Sequence, residues 1–179
     1  MTSRVLCLLT DGFEEIETVT PIDLLRRAGV EVTIASLGEI EVTGRCGMKL
    51  LADGSLSDTL PDSHDMLFLP GGPGVVHLRA DGRPAALAKI FQHSGKWIAA
   101  ICAAPLVVKD AGILSDRPHT AHASTKDELP FARFDERVVI DGNLITSRGA
   151  GTSLDFGLAL VAALRGQACA DEIAAAIMA

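Results

Sequence analysis

Short apolar runs alternate along this chain with segments whose apolar residues recur every three or four positions. The short runs predict buried strands, and the helical spacing predicts amphipathic helices. Strands are predicted at residues 4–10, 30–36, 66–69 and 97–101. Helices are predicted at residues 14–28, 84–93, 103–111, 151–164 and 171–178. In the first helix, the apolar stripe is expected to comprise Ile16, Val19, Ile22, Leu25 and Ala28.

Two further strand pairs are predicted to form hairpins. Residues 40–43 and 48–52 are expected to form one beside the main sheet. Residues 137–140 and 144–147 form the other, because Asp141, Gly142 and Asn143 between them are a strong turn signal. The chain has no linker, repeat or low-complexity segment, so we expect a single domain over residues 1–179.

Strands that alternate with helices predict an α/β fold, a doubly wound sandwich with a mostly parallel central sheet and helices on both faces. In such folds, sites lie beyond the carboxyl ends of the strands, at a topological switch point. Residues 10–12, residues 70–74, Cys102 and residues 147–153 all fall at such ends. That convergence predicts where a functional site lies.

Composition narrows the class of protein. The chain has 179 residues, 48% of them hydrophobic and 22% charged, as in ordinary soluble α/β proteins. Its net charge of −7, without a Lys/Arg run, argues against specific nucleic-acid binding. The longest apolar stretch, residues 97–108, is too short to cross a bilayer, and residues 5–9 are too short for a signal peptide. We therefore expect no membrane partner.

The four cysteines are widely spaced, without a CxxC pair or a neighbouring histidine. They are Cys7, Cys46, Cys102 and Cys169. This spacing is neither a disulfide framework nor a zinc site, so it predicts a reducing, cytoplasmic compartment. Cys7 is expected in the core, Cys169 in a structural position, and Cys46 in an exposed turn.

Cys102 stands where an apolar strand stops and a helix is predicted to begin. At such an elbow the unpaired N–H groups of the helix N-terminus favour a negative charge. They can lower the pKa of a thiol from about 8.5 into roughly the 3.5–7.5 range, which makes it a nucleophile and an oxidation target. The alternative is a small buried core residue.

Glu17 is the candidate partner of this cysteine. Pro21 lies inside the predicted helix and cannot donate to the Glu17 carbonyl, so the helix should be distorted there. A glutamate wedged against Cys102 would be protonated by desolvation and could shuttle protons. The alternative is a solvated residue of an acidic first turn, together with Glu14 and Glu15.

Backbone N–H groups near Cys102 could form an oxyanion site. Gly71 and Gly72 permit close approach of a ligand, and the Ala103 N–H would lie opposite a developing alkoxide. The Gly-rich turn is not a phosphate loop, because both glycine motifs are missing. His119 and His122 follow an expected strand start, and either could reach Cys102 or lie on the surface.

Four segments together resemble one family. They read DGFEEIETVTPIDLLRRAG, LPGG, WIAAICAAP and TSRGAGTS. The chain thereby resembles the ThiJ/PfpI superfamily, in the branch of the Parkinson disease protein deglycase and bacterial YajL. The resemblance implies a flavodoxin-like fold, a homodimer, and no metal or organic cofactor.

The resemblance also implies roles for individual residues. Cys102 matches the reactive cysteine, Glu17 the protonated glutamate in contact with it, and His122 the histidine beside it. Gly72 and Ala103 match the N–H pair of the oxyanion site. Because Ala103 stands where the protease-like branch has a histidine, and no His-x-Glu pair lies near the C-terminus, neither a peptidase nor an amidotransferase is expected.

The chain departs from the family pattern at two places. Ala150 replaces the proline usual in the SRGPG loop, a change that could loosen the pocket wall. Cys46 stands where a pocket arginine is expected, with Arg45 beside it, which affects the pocket and the dimer contacts.

Three hypotheses for function follow. In the first, the chain is an enzyme that converts a small carbonyl substrate such as methylglyoxal to a hydroxy acid, or repairs its early adducts. In the second, it is a non-catalytic redox sensor and chaperone whose Cys102 is oxidised to sulfinic acid. In the third, it is a hydratase on another small electrophile. All three use Cys102, so the sequence does not separate them.

Overall fold

The computed structural model describes residues 2–179 of the chain. The strands are β1 (Arg4–Leu9), β2 (Glu31–Ser36), β3 (Glu41–Thr43), β4 (Lys49–Leu51), β5 (Gly54–Ser55), β6 (Met66–Leu69), β7 (Trp97–Ile101), β8 (Val138–Asp141) and β9 (Leu144–Ser147). The helices are α1 (Glu15–Arg27), α2 (Val75–Asp81), α3 (Arg83–His93), α4 (Pro105–Asp110), α5 (Ser153–Arg165) and α6 (Gln167–Ala176).

Seven strands form one sheet in the order β5-β2-β1-β6-β7-β9-β8. All neighbours are parallel except β8, which pairs antiparallel with β9 through the turn at residues 141–144. Strands β3 and β4 pair separately as an antiparallel hairpin. The predicted α/β sheet and both hairpins are therefore confirmed.

Successive residues of each central strand enter two different cores, because side chains alternate across a sheet. In β1, Leu6 and Leu8 pack under α2, α3 and α4, whereas Val5, Cys7 and Leu9 pack under α1, α5 and α6. Helices therefore cover both faces of the sheet, as the doubly wound prediction requires. Cys7 lies in the core, as predicted.

The switch point lies between β1 and β6, because the chain leaves β1 toward β2 on one side and returns to β6 on the other. The two loops that follow these strands are hydrogen-bonded to each other, with the Gly74 N–H donating to the Gly12 carbonyl at 2.9 Å. The carboxyl ends of β7 and β9 lie next along the same edge. This edge is where open α/β sheets bind ligands.

Several details differ from the prediction. Helix α2 and the edge strand β5 were not predicted, because glycine and proline at residues 70–74 indicate a loop and two residues are too few for a pattern. The expected strand start before His119 is wrong, since residues 112–122 form turns and irregular backbone. Helix α4 is shorter than expected. Helix α5 ends at Arg165, before Gly166 with φ 88°, and α6 begins at Gln167, four residues earlier than expected.

The prediction of the apolar stripe on α1 was also partly wrong. Ile22, Leu25 and Ala28 are buried as expected, but Ile16 and Val19 are 53% and 42% exposed. The first turns of α1 instead bury Glu15, Glu17 and Thr18. They do so because this end of the helix faces the loops at the carboxyl edge of the sheet, where the backbone supplies polar partners.

Candidate active site

Cys102 occupies a strained elbow at the end of β7. Its φ is +65°, a left-handed conformation that non-glycine residues rarely adopt. Two hydrogen bonds hold its peptide: the Cys102 N–H donates to the Ser147 carbonyl at 2.9 Å, and the Cys102 carbonyl accepts from the His122 N–H at 2.8 Å. Tertiary contacts therefore fix a conformation that costs about 1–3 kcal/mol, as is common at functional sites.

Three groups surround the sulfur of Cys102. The backbone N–H groups of Gly72 and Ala103 donate to it, and the Glu17 carboxyl shares a hydrogen bond with it. The side chain is half-buried. This arrangement can stabilise negative charge on the sulfur or on an atom bound to it, and it can deliver or remove one proton.

Glu17 is buried, with 1% of its surface exposed. The Gly71 N–H donates to its Oε2 at 3.1 Å, so the Gly71 amide holds Glu17 in place and is not free to line an oxyanion site. At the start of α1, the Glu14 carboxylate accepts from the Glu17 N–H at 2.8 Å and caps the helix. Helix α1 continues through Pro21 without interruption, so the cap and the Gly71 contact place Glu17, rather than a distortion.

Burial raises the pKa of Glu17 from 4.5 to about 7, and the negative charge of Glu14 adds to the rise. The hydrogen bonds from Cys102 and Gly71 and the positive charge of Arg45 act in the opposite direction. Desolvation therefore acts on Glu17 in the predicted direction, toward the protonated form. Glu17 changes charge near neutral pH.

The pKa of Cys102 is raised, not lowered. Burial raises it to about 12, and the charge and hydrogen bond of Glu17 act in the same direction, against the N–H groups of Gly72 and Ala103. The expected lowering by a helix N-terminus is wrong, because α4 begins only at Pro105 and the sulfur is desolvated. A thiolate forms here when the proton passes to Glu17.

Glycine is required at two positions of the Pro70–Gly74 loop. A Cβ on Gly71 would lie 2.5 Å from the Cys102 Cβ and would also overlap the Glu17 carboxyl. A Cβ on Gly72, whose φ is +101°, would lie 2.5 Å from the Gly12 carbonyl oxygen. The loop after β6 therefore approaches both the elbow and the β1 loop as closely as backbone permits.

His122 lies on the exposed side of the site. Its Nδ1 is 2.8 Å from the Ser124 Oγ and accepts from the Ser124 N–H at 3.2 Å, which leaves Nε2 to carry the ring proton in the neutral form. A Cβ on Gly149 would be 3.4 Å from the ring of His122 and 3.6 Å from Oε1 of Glu17. His122 and Glu17 thus both border Gly149. His119 does not join them, because it lines a separate cleft.

The two places where the sequence departs from the pattern it resembles, Arg45–Cys46 and Ala150, lie beside the site. Arg45 acts on Glu17 electrostatically, so a positive charge is supplied from the position next to the expected one. Cys46 is exposed, and its N–H donates to Oε1 of Glu15 at 2.8 Å. Ala150 begins a short 3-10 turn and lies half-buried beside Gly149.

Sequence reasoning placed residues 147–153 at this edge of the sheet but gave no role to Ser147 or Gly149, and it named Glu14 only as part of an acidic first turn. Ser147 acts through its carbonyl and Gly149 through contacts with residues far away in the chain, which no local pattern shows. Glu14 caps α1 with its carboxylate, although glutamate is not a usual N-cap residue. Within residues 2–179, no three His, Cys, Asp or Glu side chains form a metal-binding group. None of the helices in this part of the chain has the length and apolar character needed to span a bilayer.

Comparison with known proteins places this geometry in context. Residues 3–163 match the sequence profile of the DJ-1/PfpI family. Protein dj-1beta of Drosophila melanogaster is 36% identical over 184 residues, covering 99% of this chain and 98% of its own. Its crystal structure superposes with a TM-score of 0.92 over 99% of this chain and 98% of that one, so the flavodoxin-like α/β fold is shared.

Two further relatives bear names that refer to chemistry. Deglycase TK1284 of Thermococcus kodakarensis is 34% identical over 151 residues, covering 83% of this chain and 91% of its own. A structure of DJ-1 from Toxoplasma gondii, described as oxidized, superposes with a TM-score of 0.93 at 32% identity, over 99% of this chain and 98% of that one.

Proposed function

The chain belongs to the DJ-1/PfpI family, and we propose that it is a cysteine-dependent stress-response enzyme acting on reactive dicarbonyls, a glutathione-independent glyoxalase or deglycase. The observation that carries this proposal is the hydrogen-bonded pair of Cys102 and Glu17, with the Gly72 and Ala103 N–H groups aimed at the sulfur. The pair combines a nucleophile with a group that exchanges a proton near pH 7.

The first step is attack on an aldehyde. The Cys102 proton passes to the Glu17 carboxylate as the sulfur bonds to the aldehyde carbon of methylglyoxal. The carbonyl π electrons move to oxygen, which takes the proton back from Glu17, so a hemithioacetal forms. The N–H groups of Gly72 and Ala103 hold the thiolate before attack and lie beside the oxyanion during it.

The second step moves hydrogen between the two carbons. Glu17, or His122 from the open side, removes the proton from the former aldehyde carbon and gives it to the ketone oxygen, so an enediol forms. Protonation of the neighbouring carbon and loss of the enediol hydroxyl proton give a lactoyl thioester on Cys102. Water then adds to the thioester carbonyl, the C–S bond breaks with its electrons returning to sulfur, and lactate and the thiol are released.

The same attack would serve repair of early adducts, because a hemithioacetal or hemiaminal regenerates the aldehyde reversibly. The name of the Thermococcus kodakarensis relative supports including deglycase chemistry in the proposal. Peptidase activity is not proposed, since Ala103 follows the cysteine in place of a histidine.

A redox function is the second candidate, and a specific observation favours it. The Glu17 carboxyl and the two N–H donors that surround the Cys102 sulfur would also stabilise a sulfinate, and the Toxoplasma gondii relative is described as oxidized. No contact of the described residues specifically favours chaperone activity or hydratase chemistry on another electrophile, so neither is proposed.

Lactate formation from methylglyoxal tests the proposal. We expect the native protein to produce lactate without glutathione, and Cys102→Ser and Glu17→Gln each to lose at least about 10²-fold in kcat/KM. The enzyme proposal fails if the native protein shows no turnover. If peroxide at the same time adds two oxygen atoms selectively to Cys102, the redox function takes its place.

A homodimer and a cytoplasmic location are part of the proposal. Four exposed apolar side chains support the dimer: Ile16 and Val19 on α1, and Met48 and Leu51 on the adjoining hairpin. Helix and hairpin are joined through the Glu15 contact to Cys46. All four cysteines are free, as suits a reducing compartment.

A further inference from the structure

A cleft of about 650 Å³ lies away from Cys102. It is formed by Lys109 at the end of α4, residues 114–119, residues 128–131 and Arg133. None of the site residues described above lines it. Its volume is within the range of about 300–1,000 Å³ that small-molecule sites occupy. We refer to it as the Phe131 cleft.

The wall of the Phe131 cleft is largely apolar. Leu114, Pro118, Leu129 and Pro130 contribute to it, and Phe131 stands at its rim with 86% of its surface exposed. An exposed aromatic ring beside a concave apolar wall leaves a surface that an apolar ligand group would cover. A ligand can therefore contact the Phe131 ring without displacing any packed part of the protein.

The walls are already held in place. The Arg133 N–H donates to the His119 carbonyl at 2.8 Å and joins the two loops, and His119 Nδ1 is 2.8 Å from the Arg117 carbonyl oxygen. The Arg117 guanidinium is anchored to the Asp141 carboxylate at 2.6 Å. Pre-formed walls lower the ordering cost of binding.

Two charges on the cleft are left without partners. Lys109 pairs with Glu128 at 3.0 Å, and Arg117 pairs with Asp141, so these are neutralised. Across residues 2–179, neither the Arg133 guanidinium nor the Asp116 carboxylate has an ion pair or a side-chain hydrogen bond, and the two do not pair with each other. The cleft thus presents one free cation, one free anion and an apolar wall.

We propose that the Phe131 cleft binds a short free peptide with apolar side chains. Its carboxylate would bond to Arg133, its ammonium group to Asp116, and its side chains would cover Phe131 and Leu129. A ligand with only one charge would leave either Arg133 or Asp116 unpaired. Arg133 and Asp116 do not pair with each other within residues 2–179, and a peptide with free termini offers each of them a partner of opposite charge.

Calorimetric titration with one dipeptide and two neutralised forms tests this. The probes are L-leucyl-L-phenylalanine, its N-acetyl derivative and its C-terminal amide, at pH about 6.5, where the α-amino group is protonated. We expect saturable binding of the dipeptide and affinity at least about tenfold weaker for each neutralised form, because each loses one charge-assisted pair.

Variants assign each charge to its partner. Arg133→Gln should bind the dipeptide and its amide equally, and Asp116→Asn should bind the dipeptide and its N-acetyl form equally. Phe131→Ala should weaken all three ligands about fivefold through lost apolar contact. Arg165→Gln, an exposed cation at the end of α5, is the matched control and should bind like the native protein.

Cys102→Ser should also bind normally, which separates this proposal from the proposed enzyme activity. Absence of saturable binding up to about 10 mM dipeptide would overturn the proposal. It is equally overturned if Arg133→Gln and Asp116→Asn both discriminate among the three ligands as the native protein does.

Discussion

The Glu17 carboxyl is the residue on which the chemistry of this site depends. Burial places its pKa near 7, and the neighbouring thiol, with its pKa raised to about 12, holds its proton unless Glu17 accepts it. The reactive form of the pair therefore carries one proton shared between oxygen and sulfur. Below pH 7 both groups are protonated, and the sulfur has no base.

This coupling predicts a pH–rate profile. We expect kcat/KM for lactate formation to rise with pH through an inflection near 7, as Glu17 becomes able to accept the thiol proton. Glu17→Gln should lower kcat/KM at least about 10²-fold and remove the inflection. Glu14→Gln, which removes a charge that raises the Glu17 pKa, should move the inflection to lower pH. A native profile that is flat between pH 5 and pH 9 would contradict this.

The same pKa shift affects stability. The folded protein holds the Glu17 proton more tightly than the unfolded chain, so the contribution of Glu17 to the free energy of unfolding is full below about pH 4.5 and is lost as pH rises to about 7. At about 1.4 kcal/mol per pKa unit, this contribution is about 3 kcal/mol. Glu17→Gln should lose this dependence. Urea titrations at several pH values, with native and variant curves that run parallel, would refute the assignment.

Gly71 shows how little space separates the loop after β6 from the elbow. We expect Gly71→Ala to lower lactate formation at least about 10²-fold, because the added methyl group overlaps Cys102 and Glu17 and displaces the proton-transfer pair. Gly151→Ala is the control, since a Cβ there has nothing within 4 Å and its φ is ordinary. Equal activity of the two variants would rule out this role for Gly71.

At the scale of elements, the packing of α1 on α5 holds Glu17 against the sheet. A Cβ on Gly157 of α5 would lie 2.6 Å from the Leu24 side chain and 3.1 Å from the Pro21 backbone. Close helix contact at this glycine fixes the position of α1, and α1 carries Glu17. The packing of α1 on α5 therefore keeps Glu17 in position at the site.

Gly157→Leu should destabilise the fold by about 1–3 kcal/mol, because overpacking forces α1 and α5 apart. It should also lower activity, since Glu17 moves with α1. Chemical denaturation measures the first effect, and the lactate assay measures the second. Gly151→Leu, whose Cβ would have nothing within 4 Å, should be near-neutral in stability. A fully stable and active Gly157→Leu would show that the packing is not limiting.

At the scale of the whole molecule, two apolar side chains on the first turns of α1 are left partly exposed by residues 2–179. Ile16 and Val19 are exposed although they belong to an otherwise buried stripe. Burial against a second copy would remove both from water, and it would cover the Glu15 contact to the hairpin. The proposed homodimer uses this surface.

Charge on that surface should prevent association. We expect Ile16→Glu/Val19→Glu to behave as a monomer in sedimentation velocity, whereas the native protein has the mass of a dimer. Val76→Glu, which changes an even more exposed apolar residue on α2, should leave the dimer intact. A monomeric native protein, or a dimeric double variant, would remove the dimer from the proposal.

Hydrophobic periodicity was sufficient for most of the fold. Strands β1, β2, β6 and β7 and helices α1 and α3 follow from patterns of a few consecutive residues, since burial of one face fixes the local conformation. The expected sites at the strand ends follow from topology. Helix α2 and strand β5 were not predicted, because glycine-rich and two-residue segments carry no periodic signal.

Some features of the candidate site could be predicted from the sequence, and others only from the structure. Sequence motifs singled out Cys102, Glu17, Gly72, Ala103 and His122, because each lies in a contiguous segment whose residue types are themselves informative. The donation of the Gly71 N–H to Glu17, the neighbourhood of Gly149 and the Phe131 cleft depend on residues far apart in the chain, and no local pattern encodes those contacts.

The pKa of Cys102 is the clearest case of a property that only the tertiary structure decided. The sequence by itself determined that a cysteine ends a buried strand and meets a helix. The strength of the helix effect depends on where α4 begins, and the thiol pKa depends on burial and on the charge of Glu17. Desolvation and through-space charge act between residues that folding brings together. The sequence alone therefore does not determine whether they raise or lower the pKa of this thiol.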